Sequence, residues 1–225
     1  MKSELHNNRI LIKFISIILL IICSGSCTKK QDDLIIQGTV RSINEDISLE
    51  GVSIELYTRK VESGIFSANY DLFGSVHTSS TGEFSFALPR ETWANIKILF
   101  AKNGYFNWDY IIEGDVLKSK EGFNETFSLD PKSWLHFKIA NTDPQSSGDV
   151  FEYRLLNAIA TCETCCTGSS QIFSGMDVNE DIICQIIGHQ EVLIRWSQTK
   201  NSLSTGGTRT LFVPVGDTTI IDFSY

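Results

Sequence analysis

Six cysteines carry the most readable chemistry in this sequence, and they fall into two groups. Cys162, Cys165, Cys166 and Cys184 sit together in the second half of the chain, whereas Cys23 and Cys27 lie near its start. In an oxidising compartment the first group reads as disulfides. A Cys165–Cys166 bond is disfavoured, because adjacent residues reach disulfide geometry only with backbone distortion. Two pairings stay open: Cys162–Cys165 with Cys166–Cys184, or Cys162–Cys166 with Cys165–Cys184. Either one ties Cys184 to the 162–166 loop. The competing chemistry is zinc. Cys162-Glu163-Thr164-Cys165 has the C-x-x-C spacing that zinc favours, and Cys184 or His189 would complete four ligands. A second C-x-x-C is missing, so disulfides are expected and no metal or other cofactor is assigned. A redox-active C-x-x-C would need a helix N-terminus or a βαβ setting that the flanking residues do not suggest.

The other reactive residue types form no catalytic constellation. His6, His77, His136 and His189 are far apart, and none has a neighbouring His at metal-ligand spacing. Gly-x-Ser-x-Gly, His-Glu-x-x-His and phosphate-loop motifs are all missing. Asp143, Asp149, Asp177, Glu180 and Asp181 could gather around calcium. However, Asp177–Asp181 lacks the Gly and terminal Glu of an EF-hand loop, so a solvated acidic turn is expected. Trp108, Tyr110, Trp134 and Trp196 could form a sugar-stacking platform, although aromatics on strands are ordinarily core. The chain is therefore expected to be non-catalytic.

Cys27 has a different setting. Basic Lys2, Arg9 and Lys13 precede an apolar run, Phe14–Ile22; then come Ser24-Gly25-Ser26, Cys27 and polar Thr28–Asp33. This is the order of a bacterial lipoprotein signal, in which the Cys is acylated and becomes the new N-terminus. The apolar run is shorter than the ~20 residues a spanning helix needs. Cys23 follows large residues and fits poorly, so lipidation is assigned to Cys27. Ser24 stands where Leu is usual, and the site resembles the relaxed boxes of Bacteroidetes-type lipoproteins. Lys30-Gln31-Asp32-Asp33 resembles the surface-export signals of that phylum. The expected address is the outer membrane, lipid-anchored, on the cell surface or the periplasmic face.

Removing residues 1–26 leaves 16 Lys+Arg against 26 Asp+Glu, a net charge of −10. A body this acidic repels phosphate backbones, so no nucleic-acid partner is expected. About 200 residues remain, enough for one large or two small domains. With 42% hydrophobic and 11% aromatic residues the chain can bury a core.

The elements that must position these residues read as strands. In Leu49–Tyr57, Val52, Ile54 and Leu56 point one way and Ser53, Glu55 and Tyr57 the other, the period of a half-buried strand. Glu83–Leu88 alternates likewise after a turn at Ser80-Thr81-Gly82, and this spacing predicts a hairpin with Phe73–Thr78. Asn95–Ala101 leads into a Lys102-Asn103-Gly104-Tyr105 turn. Lys60–Leu72 reads as an insertion at a sandwich end, and Glu113–Asn124 as a linker or long loop. In Ser133–Ile139, Trp134, His136 and Lys138 oppose Leu135, Phe137 and Ile139. Further strands are expected at Phe151–Leu155, Glu191–Trp196, Arg209–Val215 and Thr218–Tyr225, with Asn201–Thr208 as a turn. No internal repeat is evident.

The segments Gln37-Gly38-Thr39-Val40, Leu49–Leu56, Thr78–Phe86 and Lys102-Asn103-Gly104-Tyr105 occur in the order seen in the carboxypeptidase regulatory-like family. Over about residues 34–112 the chain resembles that transthyretin-like β-sandwich, a non-catalytic accessory module. The resemblance implies a Thr…Gly-x-Phe-x-Phe hairpin entering the core. The expected fold is all-β: a signal peptide (1–26), a lipidated tether (27–33), a first sandwich (34–120) and a second sandwich bearing the cysteines (125–225). The expected role is an interaction or structural module in a cell-envelope assembly, held to the membrane through Cys27 and partnered by an outer-membrane protein. The alternative is a surface module that binds a glycan or another ligand.

Overall fold

A computed structural model describes residues 33–62, 65–119 and 122–225. Residues 1–32, where the signal peptide and most of the tether are expected and which include Cys23 and Cys27, lie outside the described residues. Leu34–Tyr225 form one compact unit with two separate hydrophobic cores, and the chain is almost entirely β. No described helix is long and apolar enough to cross a membrane.

The first half contains β1 (Leu34–Ser42), β2 (Ser53–Glu62), β3 (Ile65–Phe66), β4 (Asp71–His77), β5 (Glu83–Leu88), β6 (Trp93–Ala101), β7 (Trp108–Glu113), a short helix α1 (Gly114–Ser119) and β8 (Gly122–Leu129). One sheet has the order β5-β1-β8, and the other runs β2-β6-β7 with β4 and β3 along the far side of β2. Alternation decides which residues enter the core. Val52 just before β2, Ile54 and Leu56 on β2, and Phe84, Phe86 and Leu88 on β5, are buried in the first core. Each such side chain contributes roughly 1.5–3 kcal/mol when fully buried.

The second half contains β9 (Lys132–Ala140), β10 (Val150–Leu155), β11 (Gln171–Ser174), β12 (Asn179–Ile187), β13 (Gln190–Lys200), β14 (Leu203–Val213) and β15 (Thr218–Ser224). Its sheets have the orders β12-β9-β15 and β11-β10-β13-β14. Strand for strand this repeats the first half, with β9 in the place of β1, β10 of β2, β11 of β4, β12 of β5, β13 of β6, β14 of β7 and β15 of β8. Even the ladder directions agree: β1 pairs antiparallel with β5 and parallel with β8, and β9 pairs antiparallel with β12 and parallel with β15. The chain is thus a tandem pair of one seven-strand sandwich topology, which residue types alone did not reveal.

Several local expectations change. The segment 113–124 is no linker: α1 and the start of β8 occupy it, and β8 closes the first core through Phe123, Phe127 and Leu129. The boundary therefore falls at Asp130-Pro131 rather than between 120 and 125. The Lys60–Leu72 insertion contains strand: β2 runs to Glu62 and pairs back with β3, and Arg59 Nε donates to the Ser67 carbonyl at 2.5 Å. β12 and β11 are strands the sequence pattern does not announce, because polar Asn179-Glu180-Asp181 and the short Gln171–Ser174 lack a strong apolar alternation.

Residues 78–82 do not make a hairpin. β4 pairs with β2 and β5 pairs with β1, so the connection crosses from one sheet to the other. Thr78 holds the crossing: its buried Oγ1 accepts from Val52 N at 2.9 Å and donates to the Leu49 carbonyl at 2.5 Å. Gly82 has φ +78°, and a Cβ there would lie 2.5 Å from the Val40 carbonyl, so only glycine fits the turn. The Asn201–Thr208 turn is likewise shorter than expected. Asn201 and Ser202 have φ of +49° and +66°, a two-residue connection of the kind that matches strand twist. Ser204–Thr208 therefore continue β14.

The two sandwiches meet through backbone. Lys132 N donates to the Gly104 carbonyl (2.8 Å), Gly188 N to the Pro131 carbonyl (2.9 Å) and Phe106 N to the Asp130 carbonyl (2.9 Å). Asn44 Nδ2 donates to the Gly188 carbonyl at 2.8 Å.

Candidate functional site

The second sandwich positions the downstream cysteines. Cys162 pairs with Cys165 inside the β10–β11 connection, and Cys166 pairs with Cys184 on β12. This is the first of the two pairings left open by sequence. Cys166 N donates to the Gln185 carbonyl (2.8 Å) and Gln185 N to the Thr164 carbonyl (2.9 Å), which lay the loop along β12. Cys166 is buried in the second core, while Cys162 is exposed. All four sulfurs are in S–S bonds, so none is the thiolate that zinc requires. His189 faces the Phe212 ring instead of the cysteines.

The acidic residues divide. Glu180 and Asp181 lie on β12, where Asp181 pairs with His136 Nε2 across the β9–β12 ladder. Asp149 is fully buried at the start of β10. Among the described residues no group of three or more His, Cys, Asp or Glu is placed to hold a metal ion. Asp149 instead organises a polar cluster. It accepts from Gln145 N (2.8 Å), Ser146 N (3.2 Å), Ser146 Oγ (3.2 Å) and Asn141 Nδ2 (3.1 Å). Asn141 Oδ1 accepts in turn from Lys200 Nζ at 2.9 Å, and that ammonium lies 5.2 Å from the Tyr225 ring centre. The ends of β9, β13 and β15 are thereby tied to the entry of β10.

The Gln145 backbone donor holds the Asp149 carboxyl below its ordinary range. The Asn141 and Ser146 side chains and the Lys200 charge assist it, and burial works against it. A depressed folded pKa stabilises the protein above the unfolded value of about 3.9, and that stability is lost as pH falls through the lower folded value. Asp149→Asn is expected to lower Tm near neutral pH by roughly 5 °C or more, and to flatten the acid side of a stability–pH curve below about pH 4. A curve parallel to that of the wild type at low pH would remove Asp149 from the acid response.

The aromatic candidates do not converge. Trp108 and Tyr110 are on β7 of the first sandwich. Trp108, 40% exposed, stacks on Phe100 at 5.5 Å, and Tyr110 packs against the same core. Trp134 is on the outer side of β9, and Trp196 packs against the second core. His77 and His136 are on different sandwiches.

The feature that sequence reading missed is a groove of about 800 Å³ on the outer face of β10, β13 and β14. Alternation builds it. Phe151, Tyr153 and Leu155 turn into the core, which leaves Glu152 and Arg154 outside; Val192 and Ile194 turn in, which leaves Arg195 and Ser197 outside. The register sets Arg154 directly opposite Arg195, Arg195 opposite Thr208, and Ser197 opposite Gly206. At Gly206 a Cβ would lie 2.6 Å from the Trp196 carbonyl, so no side chain can stand on that part of the floor. Arg154 Nε donates to the Gly168 carbonyl at 2.7 Å. Arg195 makes no side-chain hydrogen bond or ion pair to a described residue. The only signal for this groove in the sequence was the alternation of two short strands, and their partnership lay 40 residues apart.

No known family profile matches the chain, and no curated protein sequence matches it. Solved structures that match the chain include the Bacillus anthracis TIE protein, at 11% identity and TM-score 0.37, covering 86% of this chain and 34% of that one. A streptococcal ancillary pilin matches at 13% identity and TM-score 0.31, covering 85% and 62%. The shaft pilin SpaA of Lactobacillus rhamnosus GG matches at 9% identity and TM-score 0.32, covering 85% and 97%. The chain spans about a third of the first of these and under two thirds of the second. At such low scores nothing about activity or partners is taken from them.

Proposed function

We propose that this chain is a non-catalytic interaction module of the cell envelope, anchored to the outer membrane by lipid on Cys27 and docked onto an outer-membrane protein. Its first sandwich is read as carboxypeptidase regulatory-like, on the residues that carry that resemblance. The observation that carries the proposal is the edge strand β14. It is 11 residues long and pairs only with β13 among the described residues. Proteins usually blunt such an edge with proline, lysine, a bulge or brevity. β14 has no proline and no lysine, and its ladder with β13 runs without a register shift. Its one arginine, Arg209, is exposed but engaged: Nη1 donates to the Asp222 carbonyl at 3.2 Å and the guanidinium lies 5.8 Å from the Phe223 ring centre. Every residue from Leu203 to Thr210 is exposed. An open ladder of this kind accepts an extended segment of a partner by strand addition.

A photo-crosslinking residue placed at Thr205 or Thr208 is expected to capture one outer-membrane protein reproducibly in cells. The same residue at Ser85 on β5 is expected to capture none. Equal capture from β5 and β14, or capture from neither, would reject docking through this edge. The anchor is tested separately: Cys27→Ala is expected to release the protein from the membrane fraction or leave it as unprocessed precursor. Full processing with normal membrane retention would contradict lipidation at Cys27.

A second reading, a ligand-binding surface module for glycans, is favoured by the hydroxyl-lined groove on β10, β13 and β14.

A further inference from the structure

We propose that this groove binds a carboxylate-bearing oligosaccharide, of the uronic acid class, with Arg195 and Arg154 gripping the carboxylate. The inference rests on the ligand-binding reading and names its chemistry. Like charges directly opposite on an antiparallel ladder repel, and each such pair is destabilising unless something neutralises it. Arg154 and Arg195 are such a pair. Among the described residues no ion pair joins either arginine to a carboxylate. They stand in a body whose mature part has 26 acidic residues against 16 basic ones. The planar guanidinium fork matches a carboxylate in two-point hydrogen bonds.

The surroundings select among anions. Glu152 faces the same groove, and Glu191 is on the same side of β13, four residues from Arg195. The positive field is therefore local, which suits one carboxylate and not a run of phosphates. Around the arginines the lining is hydroxyl and backbone: Ser170, Ser197, Ser204, Thr208 and the bare Gly206. Such neutral donors and acceptors suit sugar hydroxyls. The volume, about 800 Å³, lies within the usual range for small-ligand sites. The repeated topology supplies an internal comparison. The corresponding face of the first sandwich sets Glu55 opposite Leu99 and Leu99 opposite Asp109. That face also carries Lys97, which pairs with Asp109 at 4.0 Å, so its charges are mixed and matched, whereas the arginine pair without an ion-pair partner among the described residues belongs to the second sandwich.

The test is calorimetric titration of the detergent-solubilised full chain with trigalacturonate, trimannuronate and neutral maltotriose. At least one acidic trimer is expected to bind at least tenfold more tightly than maltotriose. Arg195→Ala is expected to weaken it by tenfold or more, the scale of a lost charge-assisted pair. Tm should not fall, because Arg195 is exposed, has no described partner and faces a like charge whose repulsion the variant relieves. Maltotriose binding as tightly as the acidic trimers, or acidic binding unchanged by Arg195→Ala, would overturn the carboxylate assignment and leave the glycan reading standing. No binding of any of the three would overturn both.

Discussion

Phe100→Ala is expected to destabilise the protein by about 3–5 kcal/mol, the range for truncating a buried aromatic. Phe100 is 1% exposed on β6. Its ring meets Phe127 of β8 at 4.8 Å, Phe84 of β5 at 6.0 Å and Trp108 of β7 at 5.5 Å. One side chain therefore joins strands of both sheets in the first sandwich. Deleting it loses the transfer energy of the ring and leaves a cavity whose walls are other rings in fixed rotamers. Phe100→Leu should cost clearly less, since it keeps part of the volume. Urea unfolding of the purified chain measures both. A loss below about 1 kcal/mol for the alanine variant would mean that the core collapses around the gap, against close packing.

The second large effect belongs to the Cys166–Cys184 crosslink. It closes 18 residues between the β10–β11 connection and β12. Constraining a loop of that length in the unfolded chain stabilises the fold by about 3 kcal/mol. Cys162–Cys165 closes only 3 residues in an exposed turn and should contribute far less. The double variant Cys166→Ala/Cys184→Ala should reproduce most of the destabilisation caused by full reduction, and Cys162→Ala/Cys165→Ala little of it. Equal losses from the two pairs would contradict this division. Peptide mapping without reductant would check the connectivity itself.

Much of the strand content was legible because it depends on neighbours in sequence. Val52, Ile54 and Leu56, and again Leu135, Phe137 and Ile139, are buried as their period of two required. Gly104 takes φ +80° in the Lys102-Asn103-Gly104-Tyr105 turn. The cysteines narrowed to two pairings on covalent geometry. Pairing between distant strands was not legible. The Ser80-Thr81-Gly82 signal marks a change of direction equally well for a hairpin and for a crossing between sheets, and the choice was made by Thr78 reaching both Leu49 and Val52. The Gly206-Gly207 step reads as a turn in isolation. It is strand because Asn201-Ser202 had already turned the chain.

The duplication shows the same division. Each copy has a lysine and an asparagine at the end of the fifth strand of the shared topology, Lys102-Asn103 just after β6 and Lys200-Asn201 at the end of β13. Both lysines reach back to the loop after the first strand, Lys102 Nζ to the Glu50 carbonyl at 2.6 Å and Lys200 Nζ to Asn141 Oδ1 at 2.9 Å. A topology is preserved by which strands pair, and many apolar sets satisfy that equally, so the repeat outlasts its sequence signal.

What the sequence determined by itself was local: the strand faces, the reduced choice of cysteine partners and the acidic balance of the chain. These follow from side-chain period, covalent geometry and composition. What only the tertiary structure decided was which faces meet. It set Arg154 opposite Arg195, left the far edge of β14 open among the described residues, buried Asp149 under its donors and split the four aromatic candidates between two sandwiches. The physical reason is that strand pairing is non-local. Register between segments 40 residues apart is settled by the packing of both sheets at once, and no window along the chain contains that information.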